Sequence, residues 1–288
     1  MGLPVLGLTL PQFSERPGPA LEACRAAWRL GFGGVFVFDH LWPLGQPQRP
    51  ALEGWTLLAA LAASVDPDPR GFRVGTLVTR AGLRNPGLVA RMAATVGEIA
   101  GTRPIIGVGR GDAANRDENQ AFGLPFGGPA ERTAALEATV AALGGRPEVW
   151  VGGTGPGALA LAGRLGDAWN GWGRTPEELA AGLAEARRAA EAAGRDPAAV
   201  AGTWGGQVLV AADGHEAGAR LAAWGGDRPP AEVARVLAGD PEAVLARLRA
   251  LADAGAGWCV LAVVGGPGAE ARSLLAAAAD LPGRAGNR

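Results

Sequence analysis

Residues 86–108 read PGLVARMAATVGEIA, then GTR, then PIIGV, and this unit decides the fold. Pro86 opens a segment of helical period that runs to Ala100, and Gly101 stands where a helix normally stops. Three residues later the apolar run Pro104–Val108 reads as a buried strand. A helix followed at once by a short apolar strand is half of a repeating unit around a parallel sheet. The alternation continues in both directions. Strands are predicted near Val5–Leu10, Gly34–Phe38, Arg73–Val78, Pro104–Val108, Glu148–Gly152, Ala168–Gly171, Gln207–Ala211 and Trp258–Val264. Helices are predicted over Pro19–Leu30, Trp55–Ala63, Pro86–Ala100, Glu131–Leu143, Gly157–Leu165, Pro176–Ala193, Glu216–Trp224 with Pro230–Leu237, and Pro241–Ala254. Eight such units closing on themselves make a (β/α)8 TIM barrel, and a doubly wound open sheet is the structural alternative. No linker divides the 288 residues, so residues 1–288 are expected to form a single barrel domain.

Composition narrows the chemistry. Apolar residues make up 48% of the chain and charged residues 19%, ample for a buried core. Every basic residue is Arg; Lys and Tyr are both absent. That removes a lysine Schiff base, a P-loop lysine and a tyrosine general acid. The net charge of −1 comes without an Arg stripe and gives no footprint for nucleic acid, so a small-molecule partner is expected. Cys24 and Cys259 form neither a C-x-x-C pair nor a disulfide framework, which suits a reducing cytoplasm. Apolar runs such as Leu57–Val65 fall short of the roughly 18 residues of a membrane span.

In an α/β barrel the working groups follow the C-terminal ends of the strands. Gln12 follows the first predicted strand, Asp39, His40 and Trp42 the second, and Thr79 and Arg80 the third. His40 is the histidine at such a position, and its side-chain type suits proton transfer near neutrality. Its alternatives are a proton-transfer group and a structurally satisfied side chain. Asp39, adjacent to it, either orients the imidazole or pairs with an Arg elsewhere. His215 opens a helix and reads as structural.

Gly152-Gly153-Thr154-Gly155-Pro156-Gly157 links a strand to a helix, an arrangement that offers free backbone N–H groups to a phosphate. Its spacing fits neither the dinucleotide fingerprint nor the P-loop. Gly107 and Gly109 form a second close-approach element, read either as room for a flat ring or as strand crowding. The polar stretch Asp112–Gly128 is long for a connection and holds Asn115, Arg116, Asp117 and Glu118, whose spacing matches no metal motif. Trp42, Trp55, Trp169 and Trp172 fall near the barrel top; Trp42 and Trp172 are read as pocket walls, Trp28 and Trp150 as core.

These segments together resemble the bacterial luciferase-like superfamily. The resemblance runs through Gly7–Gln12, Val37–Pro43, Gly75–Thr79, Gly107–Gly111 with Glu118 and Ala121–Gly123, Val149–Gly153, Gly166–Asn170 and Gly239–Val244, which is nearly the whole chain. The Asp39-His40 element with Trp42 looks most like the branch that uses coenzyme F420, an 8-hydroxy-5-deazaflavin. What the resemblance implies is a (β/α)8 barrel, often a homodimer, with cofactor at the strand C-terminal face. It implies hydride transfer at the deazaflavin C5 with His40 as acid or base. It places Gln12 and Thr79 along the ring, Gly107 and Gly109 at its edge or tail, and Gly152, Gly153 and Thr154 on its phosphate. Trp42, Trp172 and Glu118 fall at the substrate pocket. It also implies a non-proline cis peptide around Val78-Thr79. The chain departs from the family pattern at Asp112, where Trp is often found, in a short segment between Leu143 and Arg146, and in lacking the lysines of the sugar-phosphate branch. The rival readings are an FMN-dependent monooxygenase and a catalytically silent flavin- or F420-binding barrel.

Overall fold

The computed structural model describes residues 2–43, 45–67, 70–266 and 273–274. Its strands are β1 (Val5–Thr9), β2 (Gly34–Val37), β3 (Arg73–Arg80), β4 (Ile105–Gly109), β5 (Glu148–Gly152), β6 (Ala168–Trp172), β7 (Ala201–Val210), β8 (Leu237–Gly239) and β9 (Ala256–Val263). Each of β1 to β6 pairs in parallel with the next, β6 pairs with β7, β7 with β9, and β9 with β1. That ring of eight parallel strands is a closed (β/α)8 barrel. The three-residue β8 lies outside the ring and extends only the far end of β7, pairing with Val208–Val210.

The helices are α1 (Gly18–Leu30), α2 (Gly54–Ala62), α3 (Pro86–Ala100), α4 (Arg116–Ala121), α5 (Pro129–Leu143), α6 (Pro156–Leu165), α7 (Pro176–Ala192), α8 (Gly214–Gly225), α9 (Pro230–Val233) and α10 (Pro241–Asp253). Their ends follow local chemistry. Asn85 caps α3 by accepting from the Gly87 N–H, Pro86 occupies its first position, and Gly101 ends it at φ +60°. Only residues 144–147 separate α5 from β5. No helix among the described residues is long and apolar enough to cross a membrane.

Two apolar layers hold the barrel. The outer one lies between strands and helices and includes Leu8, Val35, Leu58, Val89, Ile106, Leu136, Leu179 and Leu248. The inner one plugs the barrel with Phe36, Leu77, Ile105, Trp150 and Val260, flanked by Val78 and Trp258. The rings of Phe36, Trp150 and Trp258 pack mutually at centroid distances of 5.4 to 6.0 Å. Gly7 and Gly75 make room for them, since a Cβ at either would lie under 3 Å from the Phe36 ring. With its lower half filled this way, the barrel leaves its C-terminal rim for binding.

The structure corrects several expectations. The seventh strand begins at Ala201, six residues before the predicted start, because the Gly-rich stretch Ala201–Gly206 forms a ladder with β6 and β9. The predicted helix Pro230–Leu237 stops at Val233 and gives way to β8. The polar loop 112–128 contains α4. The cis peptide lies at Leu77-Val78, one residue before the expected place. Trp55 and Trp169 are buried in the outer layer, not placed on a pocket wall.

Candidate active site

The segment following β2 turns over the barrel rim and carries Phe38, Asp39, His40 and Leu41. Asp39 is 2% exposed, and its oxygens are fully engaged. Oδ2 accepts from the Thr79 hydroxyl at 2.7 Å, the Arg80 backbone N–H at 2.9 Å and Arg84 Nη1 at 2.7 Å, while Oδ1 accepts from Arg84 Nη2 at 3.1 Å. The same Arg84 Nη2 also donates to Glu53 Oε1 at 2.6 Å, and Glu53 caps α2 by accepting from Trp55 and Thr56 N–H groups. Asp39 therefore fastens the ends of β2 and β3 together and does not bond the neighbouring imidazole.

Gln12 and Thr79 are likewise committed to the scaffold. The Gln12 amide donates to the Phe38 and Leu52 carbonyls and accepts from the Phe38 N–H, tying the ends of β1 and β2 to the chain entering α2. The Thr79 hydroxyl donates to Asp39 and accepts from Trp55 Nε1 at 2.9 Å. Both side chains are 0% exposed. They set the rim from beneath.

His40 faces the other way, with a fifth of its side chain exposed. Its Nδ1 lies 3.2 Å from Glu118 Oε2, and the second Glu118 oxygen accepts from the Leu41 N–H in a short hydrogen bond. Glu118, on the first turn of α4, is fully buried. Arg80 Nη1 stands 3.1 Å from its Oε2, and Asn115 Nδ2 donates to the same oxygen at 3.4 Å. Burial pushes this carboxyl up, but the hydrogen bonds from His40 and Leu41 and, behind them, the charges of His40 and Arg80 outweigh it and hold the group below the ordinary carboxylate range. An ionised Glu118 accepts only, so it keeps the proton of neutral His40 on Nδ1. Nε2 has no hydrogen-bond partner among the described residues and is left as the lone pair at the rim.

Aromatic rings line the same rim. Phe38 stacks on Phe13 at 6.0 Å, meets Trp172 edge-on at 5.8 Å and lies 6.5 Å from the His40 ring. Trp172 is 40% exposed, a large apolar surface left open to solvent. Trp42 pairs with Phe122 at 5.7 Å on the α4 side.

The glycines of β4 and β5 surround one side chain. A Cβ at Gly107, Gly109 or Gly152 would lie 2.9, 2.6 or 2.9 Å from a Val78 methyl carbon. Their missing side chains thus admit Val78, which packs against the inner plug. Beyond β5 the backbone turns at Gly153, φ +128°, a conformation that suits glycine, and its carbonyl accepts from Trp169 Nε1 at 2.8 Å. Thr154 is exposed there, and the Arg110 guanidinium comes within 4.0 Å of where a Gly155 Cβ would stand. An exposed hydroxyl, a glycine-rich turn opening α6 and one guanidinium are a donor set that fits a phosphate.

The luciferase-like monooxygenase family profile matches residues 5–144 and 136–257. The chain belongs to that family. Among curated relatives, it is 30% identical over 229 residues to the phthiodiolone/phenolphthiodiolone dimycocerosates ketoreductase of Mycobacterium tuberculosis, covering 63% of this chain and 58% of that one. It is 34% identical over 194 residues to the F420-dependent glucose-6-phosphate dehydrogenase of Beutenbergia cavernae, covering 55% of each. The chain thus spans less than two thirds of the length of these relatives. Among solved structures, the F420-dependent secondary alcohol dehydrogenase in complex with an F420-acetone adduct superposes with a TM-score of 0.73 at 19% identity, covering 91% of this chain and 94% of that one. The EDTA monooxygenase from Chelativorans sp. BNC1 superposes at 0.79 with 15% identity, covering 96% and 93%. At these identities the superpositions speak to the fold.

Of the residues expected at the substrate pocket, Trp172 is exposed beside Phe38 and Trp42 packs on Phe122, whereas Glu118 is fully buried and reaches the rim only through His40. Sequence reasoning missed Phe38, the ring that joins Phe13, Trp172 and His40, and it missed the pairing of Arg80 with Glu118. The only sequence signal for Phe38 was its place at the end of a predicted strand, beside Asp39.

Proposed function

We propose that this luciferase-like protein is a coenzyme F420-dependent oxidoreductase acting on a small organic substrate, with His40 as its acid or base. The observation that carries the reading is the His40–Glu118 pair, which fixes the imidazole by Nδ1 and leaves Nε2 open at the aromatic rim. The F420-dependent relative from Beutenbergia cavernae supports the choice of cofactor. When bound, the deazaflavin supplies hydride chemistry.

The chain's own residues divide the remaining work. Thr154, the Gly152–Gly153 turn and Arg110 hold the phosphate end. Phe38, Trp42 and Trp172 shed water from the substrate's apolar part and bind it by area. His40 Nε2 takes the proton from a substrate hydroxyl in oxidation and returns it to the oxygen in reduction. Asp39, Gln12 and Thr79 keep the strand ends in register so that this geometry is rigid. The absence of Lys leaves a sugar phosphate only Arg side chains to pair with. An alcohol and its ketone are therefore the substrate class to test first.

The test follows the visible absorbance of F420 with a panel of secondary alcohols, and of reduced F420 with the matching ketones. Turnover that falls at least a hundredfold in His40→Ala supports the assignment. Full turnover in that variant removes His40 from it. The second reading, an FMN-dependent monooxygenase, rests on the family's own description. It predicts oxygen consumption with reduced FMN and no F420 turnover.

A further inference from the structure

The end of β3 places an arginine where the proposed proton-transfer pair needs a counter-charge. Arg80 is 6% exposed, so its guanidinium sits inside the protein. Nε donates to the Asp39 carbonyl at 2.7 Å, Nη1 donates to Asn119 Oδ1 at 2.8 Å, and the same Nη1 is 3.1 Å from Glu118 Oε2. Asn119 in turn donates to the Pro125 carbonyl, which anchors the far end of α4. One side chain thus links the segment after β2, the end of β3 and α4, and meets Glu118 at Oε2, the same oxygen that His40 Nδ1 approaches. Arg80 Nη2 is buried without a hydrogen-bond partner. A buried donor left unpaired is unfavourable for stability, so the residue is poorly explained as a stabilising contact alone.

We propose that Arg80 is a positioning residue that pins the Glu118 carboxylate against His40 Nδ1, so that only Nε2 of the imidazole exchanges a proton at the barrel rim. This deepens the proposed function and rests on it for the role of His40. The groups facing Glu118 are His40 and the Leu41 N–H from the β2 end, Arg80 from β3 and Asn115 from the turn before α4. Burial holds the Arg80 guanidinium below the ordinary arginine range; Glu118, Asp39 and Asp112 favour its charge, and Arg84 opposes it. With Arg80 in place a fully buried carboxylate keeps its charge and can act only as an acceptor. Without it, burial opposes the charge with one cation fewer against it, and a carboxyl that takes up a proton can donate to Nδ1 and release the ring to its other tautomer.

The test is nitrogen NMR of histidine in the cofactor-free protein, in a His215→Asn background so that one imidazole remains. In the otherwise unsubstituted protein, neutral His40 carries its proton on Nδ1. Arg80→Lys keeps that pattern. Arg80→Met and Arg80→Gln mix the two tautomers, because the carboxylate is no longer held against Nδ1. Two results would overturn the proposal. One is a folded Arg80→Met or Arg80→Gln protein with an unchanged tautomer. The other, which needs no folded variant, is neutral His40 protonated on Nε2 in the protein with Arg80 intact. Because the readout needs neither cofactor nor substrate, a failure to bind F420 would overturn the functional reading and leave this result standing.

Discussion

Arg84 grips both carboxylate oxygens of Asp39, Nη1 to Oδ2 at 2.7 Å and Nη2 to Oδ1 at 3.1 Å. This two-point contact joins the end of the β3–α3 connection, just before the α3 cap Asn85, to the segment after β2, at the residue that precedes His40. Parallel N–H donors on a carboxylate give geometric definition as well as energy. The residue beside the candidate acid/base is thus a structural keystone of the rim.

Removing the charge there tests that role. Asp39→Asn leaves Arg84 and the Arg80 N–H facing a neutral amide in a buried place. Breaking a buried ion pair from one side typically destabilises by about 3–5 kcal/mol. Urea denaturation followed by tryptophan fluorescence should show a loss of that size. A change under about 1 kcal/mol would mean that Glu53 and solvent satisfy Arg84 unaided.

Acid stability should carry the mark of Glu118. Its carboxyl lies below the ordinary range in the folded protein, so its ionised form favours the native state. That contribution is fully present above the unfolded-state value of about 4.3 and is lost as pH falls through the lower folded value. Glu118→Gln should therefore flatten the acid limb of a plot of stability against pH below about 4.3. An acid limb of unchanged slope would show that Glu118 does not contribute there.

Val78 and the glycines around it are tightly coupled. A Cβ at Gly109 would stand 2.6 Å from Val78 Cγ2, so Gly109→Ala overpacks the rim. The expected loss is about 1–3 kcal/mol, partly restored by adding Val78→Ala. Gly157→Ala, where nothing lies within 4 Å, is the control and should be near neutral. Additive losses in the double variant would show that the two sites do not touch.

Neither thiol should react in the folded protein. Burial pushes the Cys24 thiol up to about 11 and raises that of Cys259 further. A thiol reagent at neutral pH should find no reactive cysteine until denaturant is added, and then two. Reaction of either in native buffer would mean that α1 or β9 opens locally.

The barrel was legible because its strands are short apolar runs separated by helices with clear Pro and Gly edges. The misses have physical reasons. Ala201–Gly206 carries three glycines and little β-branched character, so only its position between β6 and β9 makes it a strand. The helix α4, with the sequence RDENQA, has no apolar stripe to detect. At the site, His40 could be singled out from the residue inventory alone, and Glu118 came through the family resemblance. The Arg80–Glu118 and Phe38–Trp172 contacts join residues far apart in the chain, so no local pattern announces them. Gln12 follows the end of β1 as expected, whereas Thr79 lies inside β3, which runs two residues past its expected end to Arg80; the hydrogen bonds of both make them part of the scaffold, a distinction that requires the geometry.

The most direct test of the account is a titration of the cofactor-free protein with F420 and, separately, with FMN, followed by quenching of its nine tryptophans. Trp172 and Trp42 at the rim make that signal sensitive to a ring bound beside His40. The account predicts saturable, micromolar or tighter binding of F420 and much weaker binding of FMN. Preference for FMN, or binding of neither, would contradict it.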